Sequence, residues 1–217
     1  MSLARARWSG EHLRYDIPHV RLRQVAELVR AGSPKRVLDV GCATGHLRHL
    51  LQDVEYVGCD FAAPAQPPDF EFHLCDLNLE GIPVNLVGFD VIVCSGILEY
   101  LNALPVTFRD FSRRLRPSGS FVCTYFNDQH VLRGVSRLLR HEPYRHPDWT
   151  TLLPLAALHE QLRTAGLPAR RTFASTLGIG PAPAVAATIG RRSGLVPVAG
   201  WSQPFAHQFV IDCGRAA

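Results

Sequence analysis

Short apolar runs alternate with stretches of helical period along the chain, the pattern of a sheet covered by helices. Pro18 to Ala31 predicts a helix: a proline near its start, an apolar stripe of Leu22, Val25, Leu28 and Val29, and Gly32 as a stop. Five-residue apolar RVLDV (36–40) reads as a buried strand. Further strands are expected at 54–59, 70–73, 89–94, 120–126, 170–174 and 207–212. Helices are expected at 46–52, at 129–139 and around two stripes. The first stripe is Leu104, Phe108, Phe111 and Leu115, ending before Pro117; the second is Leu155, Leu158 and Leu162, stopped by Gly166. Seven strands with intervening helices make an open, mostly parallel sheet.

Two segments break the rhythm. FAAPAQPPD, between Asp60 and Phe70, is too short and too rich in proline for a crossover helix, so one covering helix is expected to be missing. Residues 175–204 are rich in Gly, Pro and Ala and read as a substrate-side lid. Length fits one domain over residues 1–217, with 1–32 as an N-terminal lid helix. A hydrophobic fraction of 47% argues against disorder. No apolar run approaches the ~18 residues of a membrane span. The basic N-terminus has no apolar stretch behind it and reads as no secretory signal. Lys35 is the only lysine, and the arginines are scattered, which argues against a nucleic-acid patch. The six cysteines form no C-x-x-C pair, so no metal site is expected, and reduced thiols point to the cytoplasm.

The chemistry concentrates at VLDVGCATGHL (37–47), where a strand runs into a small-residue turn. Ligands of such sheets bind outside the carboxyl ends of strands. Gly41 and Gly45 permit positive φ and close backbone approach. A dinucleotide turn needs G-x-G-x-x-G. Here Ala43 and His46 occupy the second and third glycine positions, and Asp39 would repel a pyrophosphate. A ligand carrying ammonium and sulfonium groups would instead be attracted, as S-adenosylmethionine is. Asp60 ends the second strand, where a carboxylate can accept from both ribose hydroxyls. Asp76 follows the third strand and can take the adenine amino hydrogen; a cap or turn role stays open for it. Phe61 and Leu77 are placed to sandwich the adenine. Ser95 and Gly96 end the fourth strand, where the methyl group would be presented. Cys42 reads as a backbone contact without thiolate activation. Tyr15 is positioned to fold over the cofactor or to pack on the sheet edge.

As a set, VLDVGCATGHL, VGCDF, FHLCDL, FDVIVCSGILEYL and LRPSGSFV resemble the successive motifs of class I S-adenosylmethionine-dependent methyltransferases. The resemblance implies a Rossmann-like α/β fold: a seven-stranded, mostly parallel sheet, helices on both faces, the last strand antiparallel. It implies that Asp39, Gly41, Ala43 and Gly45 line the methionine end of S-adenosylmethionine, that Asp60 binds ribose and Asp76 adenine, and that S-adenosylhomocysteine is the product. Beyond the fifth strand the sequence is similar to type 11, MetW-like enzymes and to those of glycan and natural-product clusters, which share Asn-x-x-His, here Asn127 and His130.

His130, after the fifth strand, is the candidate general base, with His141, His146 and Asp128 as rivals and a structural hydrogen bond as the plain alternative. Asn127, Glu99 and His146 are candidate substrate contacts, although Glu99 reads more readily as structural. Asp90 opens its strand, at the wrong end of the sheet for chemistry. The expected reaction is methyl transfer to an oxygen or nitrogen of a small molecule: a natural product, sugar or metabolite. The alternatives are a non-catalytic complex-forming protein on the same scaffold, and an RNA or protein methyltransferase. A homodimer or a heteromeric partner fits either reading.

Overall fold

The computed structural model describes residues 18–131, 134–135, 149–177, 195–198 and 203–216. Three helices are complete among them: α1 (Pro18–Ala31), α2 (Leu104–Arg114) and α3 (Leu155–Thr164). Among the described residues, eight strands form one sheet: β1 (Arg36–Val40), β2 (Glu55–Asp60), β3 (Glu71–Leu74), β4 (Phe89–Ser95), β5 (Leu115–Phe126), β6 (Ala169–Leu177), β7 (Val196–Pro197) and β8 (Ala206–Gly214). Their spatial order is β3-β2-β1-β4-β5-β8-β6-β7. β1 to β5 run parallel. β8 is antiparallel to both β5 and β6, and the two-residue β7 adds antiparallel to β6. The seven expected strands are present, and β7 is the addition.

Alternation along the strands builds two cores. Leu38 and Val40 of β1 face the layer that holds Phe108 and Phe111 of α2 and Leu158 and Leu162 of α3. Val37 faces the opposite layer, beneath Val25, Ala26 and Val29 of α1. Phe111 and Phe121 pack with centroids 5.2 Å apart. Each such fully buried Phe or Leu stabilises by roughly 1.5–3 kcal/mol. Helices therefore cover both faces, as the resemblance implies.

Three expectations on element extent are settled by the structure. No helix forms between Asp60 and Phe70, in line with the proline-rich spacing. The helix expected at 46–52 is absent: only a 3₁₀ turn, Arg48–Leu50, is present. Reach explains this. After the Gly41–Gly45 turn, nine residues must return past a five-residue strand before β2 begins. An α-helix rises only ~1.5 Å per residue against ~3.3 Å for a strand, so a helix over 46–52 would leave almost no chain for the turns at its two ends. β5 starts at Leu115, not at 120, because Leu115 pairs with Phe89 ahead of a register shift. Of the helix expected at 129–139, Gln129 and His130 are not helical, residues 131, 134 and 135 are, and residues 132, 133 and 136–139 lie outside the described residues. So do most of the 175–204 lid and residues 1–17 of the N-terminal lid.

Two polar anchors shape the ends of the sheet. Asp90 accepts from the backbone N–H groups of Lys35 and Arg36, at 2.9 and 2.8 Å, and from Arg116 at 2.6 Å. It is structural, as its place at the opening of β4 suggests. Arg114, at the end of α2, is buried and donates to the carbonyls of Ile82, Pro83 and Leu86 at 2.6–2.8 Å and to Asp110 at 2.8 Å. It fastens the connection between β3 and β4 to the helix.

Candidate functional site

The strand order reverses between β1 and β4: β1 leads to β2 on one side, while β4 leads to β5 on the other. In open sheets of this kind, ligands bind outside the carboxyl ends of the strands at that point. The turn after β1 has Gly41 and Gly45 at φ +77° and Ala43 at φ +49°. The left-handed region costs Ala43 on the order of 1 kcal/mol, which the surroundings must offset. They do so by hydrogen bonding. Gly41 and Cys42 both donate to the Cys59 carbonyl, at 2.8 and 3.2 Å. Ala43 N–H donates to Asp60 Oδ2 at 2.8 Å, and Ala62 N–H reaches Oδ1 at 3.3 Å.

The two glycines serve packing as well as φ. A Cβ on Gly41 would meet Ile97 at 2.6 Å, and one on Gly45 would meet Phe70 at 2.3 Å. The turns after β1 and β4 thus touch. Close approach at these two glycines is made by the chain's own side chains.

Asp39 is buried on the α1 side of the sheet and accepts from the Tyr56 hydroxyl. Burial pushes its pKa up to about 7; the Tyr56 hydrogen bond opposes this and Asp60 adds to it. Burial also raises Asp60, against the amides of Ala43, Ala62 and Phe61. Both carboxyls therefore hold protons in the folded chain that the unfolded chain has released, and the window opens near pH 4. Stability is expected to fall as pH rises from about 4 towards 7, and to level off above. Asp90 has the opposite sign, but its contribution changes below about pH 4: burial raises its pKa, yet the amides of Arg36 and Lys35 and the Arg116 guanidinium outweigh that and lower it. Urea midpoints across pH 4.5–7.5 check the window, and Asp39→Asn should flatten much of the slope. A midpoint that rises with pH would refute the assignment.

The remaining donor-side candidates lie around this pair. Cys75 N–H donates to the Asp60 carbonyl at 2.8 Å, bringing the exit of β3 beside that of β2. Asp76 forms a turn: Oδ1 accepts from Asn78 N–H at 2.9 Å and its carbonyl from the amides of Leu79, Glu80 and Gly81. The turn role left open for Asp76 is thus real. Asn78, which sequence reasoning missed, bridges to the loop after β4 through the Tyr100 carbonyl and the Asn102 amide, at 3.0 and 2.9 Å. Phe61 and Leu77 are half-buried at the exits of β2 and β3. Cys42 is buried, and burial with Asp39 and Asp60 nearby drives its thiol pKa far up, so it has no nucleophilic character. All six cysteines are free and buried. Ser95 Oγ lies 3.5 Å from Thr124 Oγ1 on β5, and Gly96 takes φ +82°. Tyr15 and His146 lie outside the described residues.

On the acceptor side, two candidates turn inward. Glu99 is 1% exposed; its Oε1 accepts from Phe126 N–H at 2.7 Å and its carbonyl from Thr150 and Thr151. It fits the structural reading. Asn127 donates to the Gln203 and Ala206 carbonyls at 2.7 and 2.8 Å and accepts from Gln129 N–H. That holds the entry to β8. His130 is 2% exposed and stacks on His207, with centroids 3.9 Å apart and planes 20° apart. His207 was not singled out in the sequence. Its signal was its place: an antiparallel β8 must begin at the carboxyl edge. Among the described residues, no three His, Cys, Asp or Glu side chains gather into a metal cluster. Nor is any described helix long and apolar enough to cross a membrane.

Comparison with known proteins gives a family and a fold. A sequence family described as a methyltransferase domain matches residues 9–171. The malonyl-[acyl-carrier protein] O-methyltransferase of Hahella chejuensis is 27% identical over 124 residues, 51% of this chain and 44% of that protein. A protein of Bos taurus named "Probable tRNA methyltransferase 9B" is 31% identical over 110 residues, 47% of this chain and 23% of its own. The chain thus spans less than half the length of these curated relatives. The structure of Burkholderia thailandensis 1,6-didemethyltoxoflavin-N1-methyltransferase, with bound 1,6-didemethyltoxoflavin and S-adenosylhomocysteine, shares the fold. Its TM-score is 0.60 at 17% identity, covering 93% of this chain and 80% of that one.

Proposed function

The chain belongs to the methyltransferase-domain family, whose cofactor is S-adenosylmethionine, and from this premise we propose that it moves the cofactor's methyl group to an oxygen or nitrogen of a small molecule. One observation carries the reading: buried Asp39 and Asp60 stand at the ends of neighbouring strands, and Asp60 is tied to the turn between them. Two acidic groups at neighbouring strand ends suit a cationic ligand, whose charge favours their ionised form, and disfavour phosphate. The group fits the residues present. Asp39 would face the ammonium end, Asp60 the ribose and Asp76, with Phe61 and Leu77, the adenine. The bound cofactor would supply an activated methyl on a positively charged sulfur. The chain's own residues would align the acceptor and exclude water. His130, backed by His207, would take the proton of a hydroxyl acceptor; Tyr15 would fold over the cofactor, His146 would contact the substrate, and the segment that follows β6 would form the substrate-side lid.

The scattered arginines support a small acceptor over a polyanion, and the Burkholderia enzyme acts on a small heterocycle. The similarity to the Bos taurus protein favours tRNA as the second reading. We place the protein in the cytoplasm, as a single domain that self-associates or works with a partner. Calorimetry should show S-adenosylhomocysteine binding. Incubation with methyl-labelled cofactor should then transfer label to a small-molecule extract and not to tRNA. No heat with the cofactor product would reject the reading, and label in tRNA would reject the acceptor class.

A further inference from the structure

The proline-rich link from β2 to β3 forms no helix, yet it ends on a side chain that reaches back towards the turn after β1. The Phe70 ring lies over two glycines: a Cβ on Gly45 would fall 2.3 Å from it, and one on Gly58 2.6 Å. Gly58 stands opposite Asp39 in the register of β1 and β2. The same ring packs edge-on against Tyr56, with centroids 5.0 Å apart and planes at 80°. Tyr56, 4% exposed, donates its hydroxyl to Asp39 Oδ2. Burial, with the charge of Asp39 adding to it, drives the Tyr56 pKa far up, so the hydroxyl keeps its proton and acts as a donor. Phenylalanine would fill this apolar layer as well; what the tyrosine adds is the bond to Asp39. Phe70, Tyr56 and Asp39 thus form a line from a link without a covering helix to the acid at the turn.

Resting on the cofactor reading above, we propose that Tyr56 is a positioning residue: its hydroxyl, steadied by Phe70, turns Asp39 and holds it as the carboxylate that receives the ammonium group of S-adenosylmethionine. A hydrogen bond to the ionised form favours that form, and here it opposes burial and the nearby Asp60. The other groups that face Asp39 are Arg21 from α1, the Cys42 thiol from the turn, and the Cys59 and Cys94 thiols of β2 and β4. The pKa values of these three thiols are all raised, so they stay neutral. Asp60 and Arg21 remain in place when Tyr56 is changed, so the substitution varies the hydroxyl alone. Without it Asp39 is harder to ionise. Asp39 titrates at about 7 with the hydroxyl present, so the loss is largest below that pH and fades above it.

The test is calorimetry of the full chain at pH 6.5 and pH 8.5 with two probes: S-adenosylhomocysteine, and 5′-methylthioadenosine, which lacks the amino-acid part. Tyr56→Phe is expected to weaken the first about tenfold at pH 6.5 and about twofold at pH 8.5. The ligand's own titration cancels in the ratio to wild type. The second probe should bind both proteins alike at either pH. Adding Tyr56→Phe to Asp39→Asn should change affinity by less than about twofold, because no carboxylate is left for the hydroxyl to act on. That comparison stands even where Tyr56→Phe alone does not fold. An equal loss at both pH values, a loss shared by 5′-methylthioadenosine, or a loss that persists on Asp39→Asn would overturn the assignment while leaving the cofactor reading intact. Wild-type protein that binds neither probe would overturn both.

Discussion

Asp60→Ala is expected to weaken S-adenosylhomocysteine binding by at least tenfold, about 1.4 kcal/mol or more. Two losses combine. The carboxylate would no longer be there for the ribose hydroxyls, and hydrogen bonds to a charged acceptor contribute roughly 1.5–3 kcal/mol. Ala43 N–H would also lose its acceptor at 2.8 Å, so a turn that holds an alanine at φ +49° would lose the contact that keeps it there. Asp60→Asn separates the two. Its carbonyl can still accept from Ala43, while its amide cannot accept from a second hydroxyl. The asparagine variant should therefore melt closer to wild type than the alanine variant and still bind weakly. Calorimetry and thermal melts on the three proteins decide it. Equal affinity in Asp60→Ala would remove this residue from the site.

Arg114→Ala should cost about 3 kcal/mol of stability with little direct effect on cofactor affinity. The side chain is buried, and its removal strands the carbonyls of Ile82, Pro83 and Leu86. Buried acceptors left without partners cost ~1–3 kcal/mol each, reduced where the loop can relax into water. Arg114→Lys should recover only part, since one ammonium cannot serve three carbonyls spread around a planar fork. Urea denaturation measures both. A loss below about 1 kcal/mol for the alanine variant would mean that the loop holds itself.

These two residues mark the edge of what sequence could reveal. The place of Asp60 at the end of β2 was legible because strand-end acids have a fixed distance from the turn. α1 was legible to the residue, because proline, stripe and glycine all agreed. The strands were legible because buried parallel strands are short apolar runs. The failures have a common cause. The 46–52 segment has too few residues to hold a helix and the turns at both its ends, a constraint set by the length of the neighbouring strand. Tyr56 and His207 each depend on a partner across the sheet or on another element. Tyr56 reads as another apolar strand position until β1 and β2 are known to be adjacent, in register Asp39 with Gly58. Arg114 reads as an ordinary cation at a helix end until the loop at 82–86 is known to lie beneath it. Glu99 and Asn127 were correctly located at strand exits, but whether each side chain turns outward or inward was not in the motif.

β8 lies between β5 and β6, so β6 meets the parallel part of the sheet only through a strand that follows it in the chain. On the ribosome, β6 emerges unpaired and must wait until β8 has been synthesised. Until then the outer edge of β5 and the edge of β6 that faces β8 are open to pairing with other nascent chains. Slowing translation between the codons for Leu177 and Ala206 would prolong that vulnerable interval, and holdase chaperones that shield open strands would matter most there.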